Sequence, residues 1–271
     1  MSLTTRYDAM FERLRARGEG AFGAFLMLGD PDLETSARLL RAAARGGADM
    51  LEVGIPFSDP IADGPVIQAA ADRALKAGVT PGDCFALVGE FREEFPDIPV
   101  GILTYANIVI ARGRGAFYGA CAQVGLDSLL VADVPVFEAE PFVETSRNAG
   151  VAPVLIAAPN TPDEVLAKIA RLGAGYTYCV ARAGVTGADE RLSLDHSRLL
   201  ETLARLGAPP PILGFGISKP DHVRAAIAAG AAGVISGSAI VGRIAEHLHD
   251  PFAAEDAVET FVREMKAATR R

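Results

Sequence analysis

Two kinds of acid occur in one continuous stretch of the chain, Leu51-Glu52-Val53-Gly54-Ile55-Pro56-Phe57-Ser58-Asp59-Pro60-Ile61-Ala62-Asp63-Gly64-Pro65. Glu52 lies in its apolar opening, and Asp59 and Asp63 lie in its Pro- and Gly-rich remainder. A carboxyl packed among apolar side chains loses hydration, which disfavours its charged form and lifts its pKa. It can then donate a proton near neutral pH, while a second carboxyl in more polar surroundings stays ionised. Structural readings remain open beside this one. Glu52 could be a buried glutamate bonded to a neighbouring strand. Asp59 and Asp63 could be solvated turn residues, since Asp-Pro and Asp-Gly are common turn signals. The length of the motif favours the chemical reading.

A second set of residues suits an anion. Gly214-Phe215-Gly216-Ile217-Ser218 and Ser236-Gly237-Ser238-Ala239-Ile240 each follow a short apolar run. Glycines let backbone N–H groups approach a phosphate closely, and the serine hydroxyls add donors. Either segment alone reads as an ordinary turn; the two together favour a phosphate site. Arg182-Ala183-Gly184-Val185-Thr186-Gly187-Ala188-Asp189 could be a lid or a plain exposed loop.

These residues need a scaffold, and the hydropathy pattern supplies one. Strands are predicted at Ala21–Leu28, Met50–Ile55, Val100–Tyr105, Ser128–Asp133, Pro153–Ala157, Tyr176–Ala181, Ile212–Phe215 and Gly233–Ser236. Helices are predicted near Leu33–Arg45, Pro81–Glu94, Gly115–Val124, Glu138–Asn148, Pro162–Arg171, Asp195–Leu206, Pro220–Ala229 and Pro251–Ala268. An amphipathic helix precedes them, with Leu3, Tyr7, Met10, Phe11 and Leu14 near helical spacing. Eight β-then-α units imply a parallel sheet closed as a (β/α)₈ TIM barrel with an extra N-terminal helix. The expected domain is single and spans 1–271. An open doubly wound sheet fits less well, because Leu28-Gly29-Asp30-Pro31 after the first strand is no G-x-G-x-x-G motif. In the barrel, the loops after the strands form the catalytic face. Alternation along the second strand turns Leu51, Val53 and Ile55 toward the helices and Met50, Glu52 and Gly54 toward the barrel interior.

Composition narrows the class. The chain has 271 residues, half of them hydrophobic, with 7% aromatic and no Trp, so the core must be aliphatic. A net charge of −8 argues against nucleic-acid or anionic-membrane partners. The N-terminus does not read as a signal peptide, and no apolar run is long enough to span a bilayer. Cys84, Cys121 and Cys179 are odd in number and far apart, which fits a reduced cytoplasm better than disulfides or zinc. The histidines, His196, His222, His247 and His249, fall in predicted helical or loop segments away from the strand ends. His247-x-His249 reads as a solvated helix end, and no metal site is expected.

Taken together, the motifs resemble the tryptophan synthase alpha chain family over essentially the whole chain. The stretch from Glu52 to Pro65 is the most specific part. It is followed in the family's order by Leu103-Thr104-Tyr105-Ala106-Asn107, Leu130-Val131-Ala132-Asp133-Val134-Pro135, Gly184-Val185-Thr186-Gly187 and the two Gly/Ser segments. The resemblance implies a carbon–carbon lyase, which cleaves indole-3-glycerol phosphate to indole and glyceraldehyde 3-phosphate in tryptophan biosynthesis. It implies that Glu52 carries the proton and that Asp63, ionised, bonds the indole N–H. It places Phe25, Leu103, Tyr178 and Phe215 at the substrate and Thr186 in the lid, where it bonds Asp63 on closure. Gly187, Gly216, Gly237 and Ser238 fall on the phosphate. A beta subunit partner is implied in an alpha₂beta₂ heterotetramer, with pyridoxal phosphate in that partner and no cofactor in this chain. Asp59 and Asn107 match positions near the interface. The chain departs from the pattern at Ala183, where the family often has Ser, and at Phe137-Glu138, where paired acids are common.

Three other expectations differ from this one in kind: a stand-alone lyase releasing free indole, a different phosphate-handling barrel such as a sugar-phosphate isomerase, and a non-catalytic regulatory subunit. Release of indole, and its dependence on a partner, separates them.

Overall fold

The computed structural model describes residues 6–180 and 196–270. Among them are nine parallel strand segments, β1 (Ala21–Met27), β2 (Met50–Gly54), β3 (Val100–Thr104), β4 (Ser128–Val131), β5 (Ala152–Pro153), β6 (Leu155–Ala157), β7 (Thr177–Val180), β8 (Pro211–Gly214) and β9 (Gly233–Ser236). They run β5-β4-β3-β2-β1-β9-β8-β7-β6 across one sheet. The two ends of that order, β5 and β6, are consecutive pieces of one stave, so the sheet closes as an eight-staved barrel. The predicted strand Pro153–Ala157 is therefore real but divided. Pro153 has no N–H to donate. Its carbonyl accepts from Ala174 N at 2.9 Å on one side, while Val154 N donates to Leu129 O at 3.0 Å on the other.

Side-chain parity splits the core into two layers, as strand alternation requires. Phe22, Ala24, Leu26, Leu51, Val53, Ile102, Leu129, Cys179, Leu213 and Val234 pack under the helices. Phe25, Met27, Met50, Leu130, Tyr178, Ile212 and Ile235 fill the interior. Glu52 shares the inward parity of Met50 and pairs in register with Phe25 on one side and Gly101 on the other. Gly101 leaves room there, since a Cβ at that position would overlap Ser128 Oγ and lie 3.0 Å from Tyr7 Oη.

The helices are α1 (Arg6–Arg17), α2 (Leu33–Arg45), α3 (Pro65–Lys76), α4 (Pro81–Glu94), α5 (Ala106–Ala111), α6 (Arg114–Gln123), α7 (Glu140–Asn148), α8 (Asp163–Leu172), α9 (His196–Arg205), α10 (Pro220–Ala228), α11 (Ser238–Glu246) and α12 (Pro251–Ala267), with a 3₁₀ turn at Val136–Glu138. The extra N-terminal helix α1 closes the base of the barrel. It buries Tyr7, Met10, Phe11 and Leu14, and the Tyr7 ring lies 5.4 Å from that of Tyr176. Acids at the base tie neighbouring strands together. Asp49 accepts from Phe22 N and Asp127 from Val100 N, each at 2.8 Å, and Asp127 also pairs with Arg6 and Arg92.

Three helices lie where no helix is predicted: α3, α5 and α11. Each is a second helix in its unit, inserted on the catalytic side between a strand and the helix assigned to it. The 3₁₀ turn also takes up the predicted start of α7.

Candidate active site

Glu52 reaches the site from inside the wall. It is 1% exposed, and burial pushes its carboxyl up to about 8. The phenol of Tyr176 donates to its Oε1 at 2.9 Å, which partly offsets that shift, and the charge of Asp63 adds to it. A carboxyl in this state holds its proton at neutral pH and can give it to a substrate atom.

Asp63 comes from the loop between β2 and α3. It is 7% exposed, and burial raises its pKa as well. Against that, Tyr105 Oη donates to Asp63 Oδ2 at 2.8 Å, a bond that favours the carboxylate. The loop is fixed at both ends. Tyr105 stacks on Phe57 with ring centroids 5.3 Å apart, and Gln68 Nε2 donates to Asp63 O at 2.7 Å.

Both acids line one cavity of about 260 Å³ at the mouth of the barrel. Phe25, Leu103, Tyr178, Phe215, Ile67 and Ile235 line the same cavity. Tyr178 and Phe215 meet edge to face, with centroids 5.8 Å apart. A Cβ at Gly214 would overlap the Tyr178 ring, so the glycine is what lets that ring lie against β8. The same cavity is lined by Gly216, Ser218, Gly237 and Ser238, from the segments that follow β8 and β9. Ser238 opens α11, and the N–H groups at a helix start attract anions. An apolar slot lined by an acid pair and by two Gly/Ser segments suits a flat aromatic group carrying a phosphorylated chain.

The structure thus brings together Glu52, Asp63, Phe25, Leu103, Tyr178, Phe215, Gly216, Gly237 and Ser238. Thr186 and Gly187, with the Ala183 departure, lie outside the described residues. Asp59 and Asn107 do not line the cavity and are exposed at the barrel mouth, in the β2–α3 loop and in α5. Two functional side chains escape the sequence reading, Tyr176 and Tyr105. Alternation could have found both, since each lies two residues from an inward-facing position, Tyr178 and Leu103 respectively. His222 also differs from expectation. It hydrogen-bonds the turn after β8 instead of lying away from the strand ends.

Among the described residues, no group of His, Cys, Asp and Glu could hold a metal ion, and no helix is long and apolar enough to cross a membrane. Cys84, Cys121 and Cys179 are buried with free thiols that burial pushes up to about 12.

Comparison with known proteins gives one answer. The family model described as tryptophan synthase alpha chain matches residues 11–270. A tryptophan synthase alpha chain of Klebsiella pneumoniae subsp. pneumoniae is 53% identical over 265 residues, covering 98% of each chain. Among solved structures, a chain of Mycobacterium tuberculosis tryptophan synthase superposes with a TM-score of 0.89 at 28% identity, covering 98% of this chain and 99% of that one. A chain from the a2b2 complex of tryptophan synthase from Pyrococcus furiosus superposes with a TM-score of 0.84 at 38% identity, covering 92% and 98%.

Proposed function

This chain belongs to the tryptophan synthase alpha chain family, the lyase subunit of tryptophan biosynthesis, and on that premise we propose how its residues divide the cleavage of indole-3-glycerol phosphate into indole and glyceraldehyde 3-phosphate. The observation that carries the proposal is the cavity itself, where Glu52 and Asp63 share one apolar slot with Gly216, Gly237 and Ser238.

Phe25, Leu103, Tyr178 and Phe215 hold the indole ring, and Gly216, Gly237 and Ser238, joined by Gly187, bind the phosphate. Protonated Glu52 delivers its proton to C3 of the ring. The positive charge that results resides on the ring nitrogen, whose N–H donates to the ionised Asp63. The hydroxyl on the carbon attached to C3 then returns a proton to the Glu52 carboxylate. Its O–H electron pair becomes the aldehyde C=O, and the broken C–C pair restores the aromatic C2=C3 bond and a neutral nitrogen. The cycle consumes no net proton and leaves Glu52 ready for the next turnover.

The partner is a tryptophan synthase beta subunit, as in the a2b2 complex of the Pyrococcus furiosus relative. Asp59 and Asn107 belong to the docking surface. So do Ile61, Ile110 and Phe137, which are 73%, 54% and 72% exposed and follow the neighbouring strands β2, β3 and β4 at the barrel mouth. Side chains of this kind grouped on one face mark an interaction surface. Pyridoxal phosphate resides in the partner and not in this chain. The chain acts as one domain over 1–271, in the cytoplasm.

An indole-release assay on indole-3-glycerol phosphate, with and without the beta subunit, tests the reading. Indole should form, and faster with the partner. No indole under either condition would point to a different phosphate-handling barrel, and release indifferent to the partner to a stand-alone lyase.

A further inference from the structure

The turn after β8 has an unfavourable backbone. Phe215 has φ 67° and Gly216 φ 78°. Glycine takes this region freely, but a bulky residue is strained there and persists only where its surroundings over-determine it. The same turn supplies Phe215, Gly216, Ile217 and Ser218 to the cavity wall.

Two side chains from other elements grip its backbone. From β9, Ser236 Oγ donates to Ile217 O at 2.5 Å. From the first turn of α10, the His222 ring places Nδ1 2.9 Å from Gly216 O and 3.3 Å from Ser218 N. A protonated Nδ1 donates to the carbonyl, and an unprotonated one accepts from the amide; the shorter contact favours donation to Gly216. In both cases the imidazole ties the turn to the helix behind it. His222 does not itself line the cavity.

We propose that His222 is a positioning residue for the phosphate end of the site, fixing the turn that presents Gly216 to the anion and Phe215 to Tyr178. The inference rests on the reading of that end as the phosphate site. It distinguishes hydrogen bonding from bulk: Gln carries both an amide donor and an acceptor, Phe keeps a ring with neither, and Ala removes both.

The test compares wild type with His222→Gln, His222→Phe and His222→Ala in complex with the beta subunit. It reads kcat and KM for indole release, and the Kd of glycerol 3-phosphate by calorimetry. Loss of one to two hydrogen bonds predicts that the Phe and Ala variants raise KM and Kd by about 10-fold, with kcat changed by less than about 3-fold. The Gln variant should stay within about 3-fold of wild type on both. Wild-type binding by the Phe variant, or an equal loss in the Gln and Phe variants, would overturn the proposal. If wild type releases no indole, the reaction has been misread, but glycerol 3-phosphate binding still decides the role of His222. If wild type does not bind glycerol 3-phosphate, the phosphate reading and this inference fall together. Should the Ala variant not fold, the Gln and Phe pair decides alone.

Discussion

At Glu52, position and proton affinity are the same fact. The inward parity of β2 buries the carboxyl, and burial moves its pKa from an ordinary 4.5 up to about 8. Linkage fixes the sign of the consequence. The folded chain keeps a proton that the unfolded chain releases between those two values, so the contribution of Glu52 to stability is full below about 4.5 and is lost as pH rises to about 8. Glu52→Gln removes the titrating group and keeps the shape. Its melting temperature should match wild type near pH 5 and exceed it at pH 8.5, measured by thermal unfolding at both. Equal melting temperatures at pH 8.5 would contradict the assigned proton. Asp63, like Glu52, accepts from a phenol, here Tyr105, but it is less deeply buried, 7% exposed against 1%, and the bond from Tyr105 supports its ionised role.

The elements that position Asp63 are the inserted ones. α3 begins two residues beyond Asp63 and buries Ile67, Ala70, Ala71 and Ala74 along one face. It is held to the β1–α2 loop by Arg73, which pairs through two nitrogens with Asp30 at 2.7 and 2.8 Å. Asp30 is only 1% exposed. Arg73→Met should leave that carboxylate buried without its cation and cost roughly 3 kcal/mol in urea unfolding. Asp30→Asn added to it should recover part of the loss, and simple additivity of the two changes would contradict the pairing. Much of this level was legible in the sequence. The strand cores, α2 and α4 follow directly from period and capping, as at Thr80, whose hydroxyl accepts from Asp83 N while the Asp83 side chain accepts from Thr80 N. α3 escapes the sequence pattern although its stripe at Ile67, Ala70, Ala71 and Ala74 is a plain helical period, because a barrel with one helix per strand leaves it no place. The split of β5 from β6 depends on which neighbour receives each hydrogen bond around Pro153, and pattern does not encode that. Tyr176 and Tyr105 were readable by alternation, but their partners are Glu52 and Asp63, far away in sequence, and only closure of the barrel brings them together.

At the scale of the whole molecule, the barrel separates stability from function by its two ends. The base carries α1 and the Asp49 and Asp127 ties; the mouth carries the cavity and the exposed Ile61, Ile110 and Phe137. Phe137 is largely exposed and adds apolar surface there. The double variant Ile61→Asp, Phe137→Asp should weaken beta-subunit binding by at least about 10-fold in a titration, because charges at an apolar docking surface must be desolvated. Its own melting temperature should stay within about 2 °C, since exposed positions contribute little to folding. Unchanged affinity would remove that face from the interface.

If Glu52 carries the proton in carbon–carbon cleavage, its removal must show in turnover. The most direct measurement is kcat for indole release by the Glu52→Gln chain in complex with the beta subunit, at pH 7 and saturating indole-3-glycerol phosphate. Loss of a general acid–base group predicts a fall of at least about 10²-fold, with glycerol 3-phosphate still bound as in wild type. A kcat within a few-fold of wild type would contradict the account.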